Sequence, residues 1–330
     1  NAHVDTDPGV PGVRDTIRDV AAGRLRVTDV THRLLERIAS KEPGIQAFAH
    51  LSPEDALDAA RRIDADQDRR GRGLVFAAKD NYDTASMPTA YGSPIHAGAR
   101  PPRDAASIGS LTLEGALLLG KTVTTEFAHV YPGPTRNPYN PGHTPGGSSS
   151  GSAAAVASAM VPMALGTQTT GSVIRPASYC GVVGYKPTWG DINVSGILAN
   201  SPSFDTVGIM TRSVDDTALC YRLMTAQSLD PVKACGLTGR RVGICRTPWW
   251  DEATEDGQAA LEQTVDLLAA AGCKLQPFDD NGAFDDIVAL QARVSGYEFA
   301  RTMAHERLHA PEGLRADLRD GRMQTGLVTS

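Results

Sequence analysis

Residues 146–178 read Gly146-Gly147-Ser148-Ser149-Ser150-Gly151, then Ser152-Ala153-Ala154-Ala155-Val156-Ala157-Ser158-Ala159, then Met160-Val161-Pro162-Met163-Ala164-Leu165, then Gly166-Thr167-Gln168-Thr169-Thr170-Gly171-Ser172, and close on Val173-Ile174-Arg175-Pro176-Ala177-Ser178. Two hydroxyl-rich turns thus flank one apolar passage, with Ser148 in the first and Ser172 in the second. Glycines in both turns let backbone approach a neighbour closely and permit positive φ. Between them, Ala153–Ala159 reads as a small-residue helix that packs tightly and Met160–Leu165 as a buried strand. That order brings two serine turns face to face.

Upstream, Leu74–Ala78 is an apolar run ending at Lys79, followed by Asp80 and Asn81. This is the pattern of a buried strand that delivers an amine; the alternative is a surface lysine with a snorkelling stem. Phe76-Ala77-Ala78-Lys79-Asp80-Asn81 and the two serine turns, taken in order, resemble the three motifs of the amidase signature family of serine hydrolases, and the likeness runs from Val75 to Leu223. The resemblance implies an α/β fold with a central mixed, largely parallel sheet flanked by helices on both faces. It makes Ser172 the nucleophile, Ser148 a bridging serine after a cis peptide bond, and Lys79 the base. Backbone N–H groups of Thr169, Thr170, Gly171 and Ser172 would form an oxyanion hole, and Gly147, Ser149, Tyr131 and Arg175 would touch substrate. Neither a metal nor a cofactor is expected. The implied activity is hydrolysis of a linear carboxamide, or a related urethane or ureide C–N bond, to a carboxylate plus ammonia or an amine.

The chemistry makes sense of the residue types. A serine hydroxyl attacks poorly until a base takes its proton. An amine with a reference pKa near 10.4 serves only if that value falls by roughly 2 to 4 units, which burial can impose. Two departures from the family pattern stand out. Gln168 and Thr170 replace an aspartate and a glycine in the second turn, and the arginine that follows the nucleophile stands one place later, at Arg175. From that shift Arg175 is expected to point away, which argues against a dicarboxylate monoamide as substrate.

Composition sets the wider limits. A chain of 330 residues with 41% hydrophobic and 21% charged residues buries a substantial core. A net charge of −6 and a pI near 5.8 give no electrostatic footprint for nucleic acid or anionic membrane. A small-molecule amide substrate is the expected partner, with a homodimer as candidate assembly. Cys180, Cys220, Cys235, Cys245 and Cys273 show no metal or disulfide spacing, so a reduced cytoplasmic setting is expected.

Along the chain, residues 1–10 read as a frayed end and 1–73 as a helical N-terminal segment, with helices over Val13–Ala22 and from Thr28, a strand over Ile45–Leu51, and a third helix entered at Ser52-Pro53. The catalytic core spans 74–224. Within it, Ala105–Glu114 reads as helix, Ala116–Leu119 as strand, Gly120-Lys121-Thr122 as a turn, and Tyr131–His143 as a long loop of the length that usually serves function. Val173–Cys180 reads as a short helix, Gly181–Tyr185 as a strand, Phe204–Gly208 as a connecting segment and Val214–Met224 as a helix. A C-terminal α/β part, 225–330, alternates strand (Arg241–Cys245), helix (Gln258–Ala271), strand (Cys273–Pro277) and helix (Phe284–His309). One α/β amidase domain is expected overall, shorter at its C-terminus than the family.

Three rival readings exist. Gly147-Ser148-Ser149-Ser150-Gly151 also fits a nucleophile elbow with Ser149 attacking, but Pro138–Pro145 cannot form the strand that motif requires. A non-enzymatic phosphate- or ligand-binding nest in the Gly-Ser turn leaves Lys79 and Ser172 unexplained. The third is an A-type component of a glutamine-dependent amidotransferase that supplies ammonia to a partner.

Overall fold

The computed structural model describes residues 11–66, 68–232, 235–278 and 281–329; the stretch 1–10 lies outside the described residues. Strands β1 (Phe48–Leu51), β2 (Val75–Lys79), β3 (Leu117–Thr122), β4 (Met163–Gln168), β5 (Val183–Tyr185) and β6 (Thr206–Thr211) form one sheet in the order β1-β3-β2-β4-β6-β5. The sheet is mixed. Its centre, β3-β2-β4, is parallel, while β1, β6 and β5 add antiparallel pairings at the flanks. The parallel share is therefore smaller than expected, because β6 was hidden in what reads as a connecting segment.

Alternate residues of a strand go to opposite faces, and in β2 this sorts the helices α1 (Val13–Ala21), α2 (Val27–Ile45), α3 (Pro53–Ala65), α4 (Ala106–Leu113), α5 (Ser150–Ala157), α6 (Ile174–Tyr179) and α7 (Val214–Met224) into two layers. Val75 and Ala77 pack with Leu34, Ile38, Ala60 and Ala154 from α2, α3 and α5. Phe76 and Ala78 pack with Val13, Ile108, Leu111 and Leu219 from α1, α4 and α7. Entry to α3 is fixed as expected, with Ser52 Oγ accepting from Asp55 N at 3.4 Å.

Helix α5 sits unusually close to the sheet because its residues are small. A Cβ on Gly151 would stand 2.2 Å from the Ala47 carbonyl oxygen and 2.4 Å from Val123 N, so only glycine fits. Ala153, Ala154 and Ala155 are wholly buried beside it. The helix start, and with it the first serine turn, is thereby pinned against the carboxyl end of β3 and the chain entering β1.

Gly120-Lys121-Thr122 is not a turn but the end of β3. Gly120 faces the backbone of β1, where a Cβ would meet the His50 carbonyl oxygen at 2.7 Å, and Lys121 is buried 3.0 Å from Asp80 while donating to Tyr82 O and Thr89 Oγ1 at 2.7 Å each. A lysine held by this many acceptors continues a strand that its charge alone would seem to end.

A second compact unit, Val232–Val294, contains β7 (Arg241–Ile244), α8 (Glu255–Ala270) and β8 (Lys274–Pro277), with β7 and β8 paired in parallel. The chain rejoins the first unit at Ser295, inside α9 (Ile287–Thr302), and continues through α10 (Ala304–His309), a wide π-type helical stretch (Asp317–Met323) and α11 (Gln324–Val328). Phe299, Met303, Leu314, Leu318 and Met323 form a separate core around Phe127. The segment 225–330, read as one C-terminal part, is thus divided between the two units, since its last stretch buries its apolar residues in the first.

Candidate active site

Lys79 is the last residue of β2, on the side of the strand that α5 covers, and it is completely buried. Its Nζ lies 2.8 Å from Ser148 Oγ and 2.7 Å from Thr167 Oγ1. Burial pulls its pKa from 10.5 to about 7, partly offset by the carboxylate of Asp205. The Gly147–Ser148 peptide bond is cis, and Ser148 is 2% exposed.

Ser148 and Ser172 open on one cavity of about 280 Å³, together with Gly147, Thr169, Thr170, Gly171 and Arg175. The two serine turns do face each other, and all four proposed oxyanion residues line the space between them. The second turn is held from behind by Gln168, whose Oε1 accepts from Val173 N at 2.9 Å and Ile174 N at 3.0 Å. A neutral amide oxygen here satisfies two donors at the start of α6, which explains how the chain dispenses with an aspartate. Asp205 braces the same turn, accepting from Thr169 Oγ1 at 2.5 Å, Asn200 N at 2.7 Å and Ser201 N at 2.8 Å. Burial raises its carboxyl pKa, against these hydrogen bonds.

Four expectations need correction. No hydrogen bond joins Ser148 to Ser172, although Lys79 reaches Ser148; contacts of this kind commonly tighten only around a substrate. Ser149 is wholly buried and exchanges hydrogen bonds with Thr167 N and O at 3.3 Å, so it neither touches the cavity nor can serve as an elbow nucleophile. Tyr131 stands in a different cavity, with the Arg315 guanidinium 3.2 Å over its ring, because the chain turns away from the serines after Val130. Arg175 does not point away: it lines the cavity, its Nη1 donates to Gly147 O at 3.3 Å, and its Nη2 fills the place where a Cβ on Gly171 would stand.

Sequence reasoning missed Thr167, His129, Asn200 and Arg322. Thr167 lies inside the second motif, five residues before Ser172, and the strand period could have flagged it. The others come from distant segments. Arg322, from the π-type stretch, lines the cavity, donates to Asn200 Oδ1 at 2.8 Å and stacks 4.3 Å over Phe299. His129 accepts from Arg322 on Nδ1 at 3.3 Å, and burial with that neighbouring positive charge holds its pKa near 4, so it is neutral at pH 7. Among the described residues, neither Arg175 nor Arg322 has a carboxylate within 4 Å. No described group of three His, Cys, Asp or Glu side chains is placed to hold a metal ion, and no described helix is long and apolar enough to cross a membrane.

Comparison with known proteins bears on the family and the fold. A family model described as Amidase matches residues 29–320. The A subunit of the glutamyl-tRNA(Gln) amidotransferase of Chloroflexus aggregans is 39% identical over 283 residues, covering 78% of this chain and 57% of that protein; its counterpart from Thermus thermophilus is 40% identical over 259 residues, covering 77% and 52%. The chain therefore spans little more than half the length of these curated relatives. Among solved structures, one described as a crystal structure of amidase superposes with a TM-score of 0.88 at 27% identity, covering 97% of this chain and 74% of the other. The peptide amidase from Stenotrophomonas maltophilia superposes with a TM-score of 0.83 at 30% identity, covering 99% and 76%.

Proposed function

Because the chain belongs to the amidase family, we propose that it hydrolyses a small linear carboxamide through an acyl-enzyme on Ser172. The observation that carries this reading is a fully buried lysine, its pKa brought to about 7, within 2.8 Å of a serine that shares a cavity with a second serine. Neutral Lys79 takes the proton of Ser148 as Ser148 takes that of Ser172, and Ser172 Oγ bonds to the substrate carbonyl carbon. Negative charge develops on the carbonyl oxygen, where N–H groups of Thr169, Thr170, Gly171 and Ser172 receive it; one such donor is typically worth about 10²–10³ in rate. The proton returns from Lys79 through Ser148 to the nitrogen, the C–N bond breaks, and ammonia or an amine leaves. Water then attacks the ester by the same relay and frees the carboxylate.

A cavity of about 280 Å³ is at the small end for ligand sites. Two guanidinium groups line it, neither with a described carboxylate within 4 Å although the charge of Asp205 reaches Arg322, and they favour a substrate that carries an anionic group beside the amide, which reverses the inference drawn from the position of Arg175 alone. Turnover of aliphatic amides, aryl amides, urethanes, glutamine and carboxylate-bearing amides, each compared with Ser172→Ala, tests the proposal. It requires hydrolysis of at least one class by the wild type and none by the variant.

A second reading, ammonia supply to a partner, is favoured by the identity to amidotransferase A subunits. Glutaminase activity that emerges only on adding partner subunits would establish it over the free-standing hydrolase.

A further inference from the structure

Asn81 follows Lys79 by two residues, where the chain leaves β2, and is 1% exposed. Its backbone is tied down, with Asn81 O accepting from Leu198 N at 3.0 Å. Its side-chain Nδ2 donates to Thr167 Oγ1 at 3.0 Å, and the same oxygen lies 2.7 Å from Lys79 Nζ.

A threonine hydroxyl has one proton and two acceptor lone pairs. As placed, Asn81 Nδ2 fills only one of those lone pairs and leaves the Thr167 proton free to turn to the amine; Asn81 Oδ1, however, is buried without a partner, and exchanging the two ends of the amide gives it that proton, so that Thr167 receives a proton from the amine and offers none back. A neutral amine has two N–H groups and one lone pair. With one N–H committed to Thr167, the lone pair is left for Ser148, 2.8 Å away. Without Asn81, the Thr167 O–H could rotate onto the amine and occupy the lone pair that a base needs.

We propose that Asn81 is a positioning residue: by fixing Thr167 as an acceptor, it keeps the Lys79 lone pair directed at Ser148. Burial supplies Lys79 with a neutral amine, and Asn81 decides where that amine points. The side chain also fronts a separate cavity of about 200 Å³, lined by Thr167, Ser195, Asn200 and Asp205. The charged groups around Lys79 are few. Asp205 acts on it directly, Asp80 is turned to Lys121 at 3.0 Å, and Arg175, Arg322 and neutral His129 lie at the substrate cavity.

This inference rests on the Ser172, Ser148 and Lys79 reading, and one experiment separates the two. The rate at which a fluorophosphonate probe labels the full chain is followed from pH 5 to pH 10 for the wild type, Lys79→Met, Asn81→Asp and Asn81→Ala, with thermal melts as a check on folding. The wild-type rate should rise through about pH 7, and Lys79→Met should label far more slowly. Asn81→Asp places a carboxylate two hydrogen bonds from the amine and favours the ammonium, so the rising limb should move up by about one to two pH units. Asn81→Ala adds no charge and should slow labelling by about tenfold; it carries the test if Asn81→Asp does not fold. Wild-type labelling without the limb, or fast labelling of Lys79→Met, overturns the relay itself. An intact relay with an unmoved limb in folded Asn81→Asp, or a wild-type rate in Asn81→Ala, overturns the role of Asn81 alone.

Discussion

Replacing Lys79 with methionine should disable the enzyme and, at the same time, change how its stability responds to pH. In the unfolded chain this lysine titrates at its ordinary 10.5, and in the folded protein near 7. Between those values the unfolded state holds one more proton than the native state, so wild-type stability rises with pH across that window. Below pH 7 the full penalty is present: a gap of 3.5 pH units at about 1.4 kcal/mol each is about 5 kcal/mol. Methionine fills similar volume and has no proton to lose, although it leaves Ser148 and Thr167 short of a partner at about 1 to 3 kcal/mol each. The variant should therefore lie within about 2 kcal/mol of the wild type at pH 7, and the difference should move in the wild type's favour by about 2 kcal/mol between pH 7 and pH 9. Chemical denaturation of both proteins at pH 7, 8 and 9 gives the comparison, because every other titrating group cancels in the difference. Parallel stability curves would mean that the amine is not neutral in the folded protein, and the reasoning that makes it a base would fail.

Other consequences are open to simpler assays. Ser148→Ala removes the link between amine and nucleophile and should lower kcat by about 10²- to 10⁴-fold with little change in melting temperature. Gln168→Leu leaves Val173 N and Ile174 N without their acceptor and should cost about 2 to 5 kcal/mol of stability, read by urea denaturation. Arg322→Met should raise KM for amides that carry a carboxylate more than for neutral amides of the same size; equal effects on both would remove the anionic-substrate reading.

The parts of this molecule that could be read in the sequence are those whose physics is local. An apolar run ending in Lys79 announces a buried strand and a depressed lysine, and glycine-serine turns either side of an alanine-rich helix announce a close approach. In the structure Gly151 allows that approach, and the helix it starts sets Ser148 beside Lys79. Strand β6 escaped notice because Thr206–Thr211 is wholly buried on both faces and has a glycine in its middle, so it lacks the alternation that marks a half-buried strand. The end of β3 was misread because a lysine inside an apolar strand suggests a chain reversal until Asp80, Tyr82 and Thr89 are seen around it.

The walls of the cavity were the least legible. Arg322 and His129 meet there only because Phe127, Phe299, Leu318 and Met323 bury one another, a tertiary event with no spacing in the chain to announce it. Tyr131 looked suitable as an aromatic in a long loop, yet the turn after Val130 carries it to another cavity. Arg175 shows the opposite error. A shift of one residue suggested a side chain facing away, but Ile174–Tyr179 forms a short helix, and its first turn carries the guanidinium back over Gly171.

Mapping the site of covalent modification tests the account most directly. The wild-type protein, treated with a fluorophosphonate and digested, should yield one modified peptide whose fragment ions place the adduct on Ser172, with no labelling of Ser172→Ala. An adduct on Ser148 or Ser149, or undiminished labelling of the variant, would contradict the assignment of Ser172 as the attacking residue.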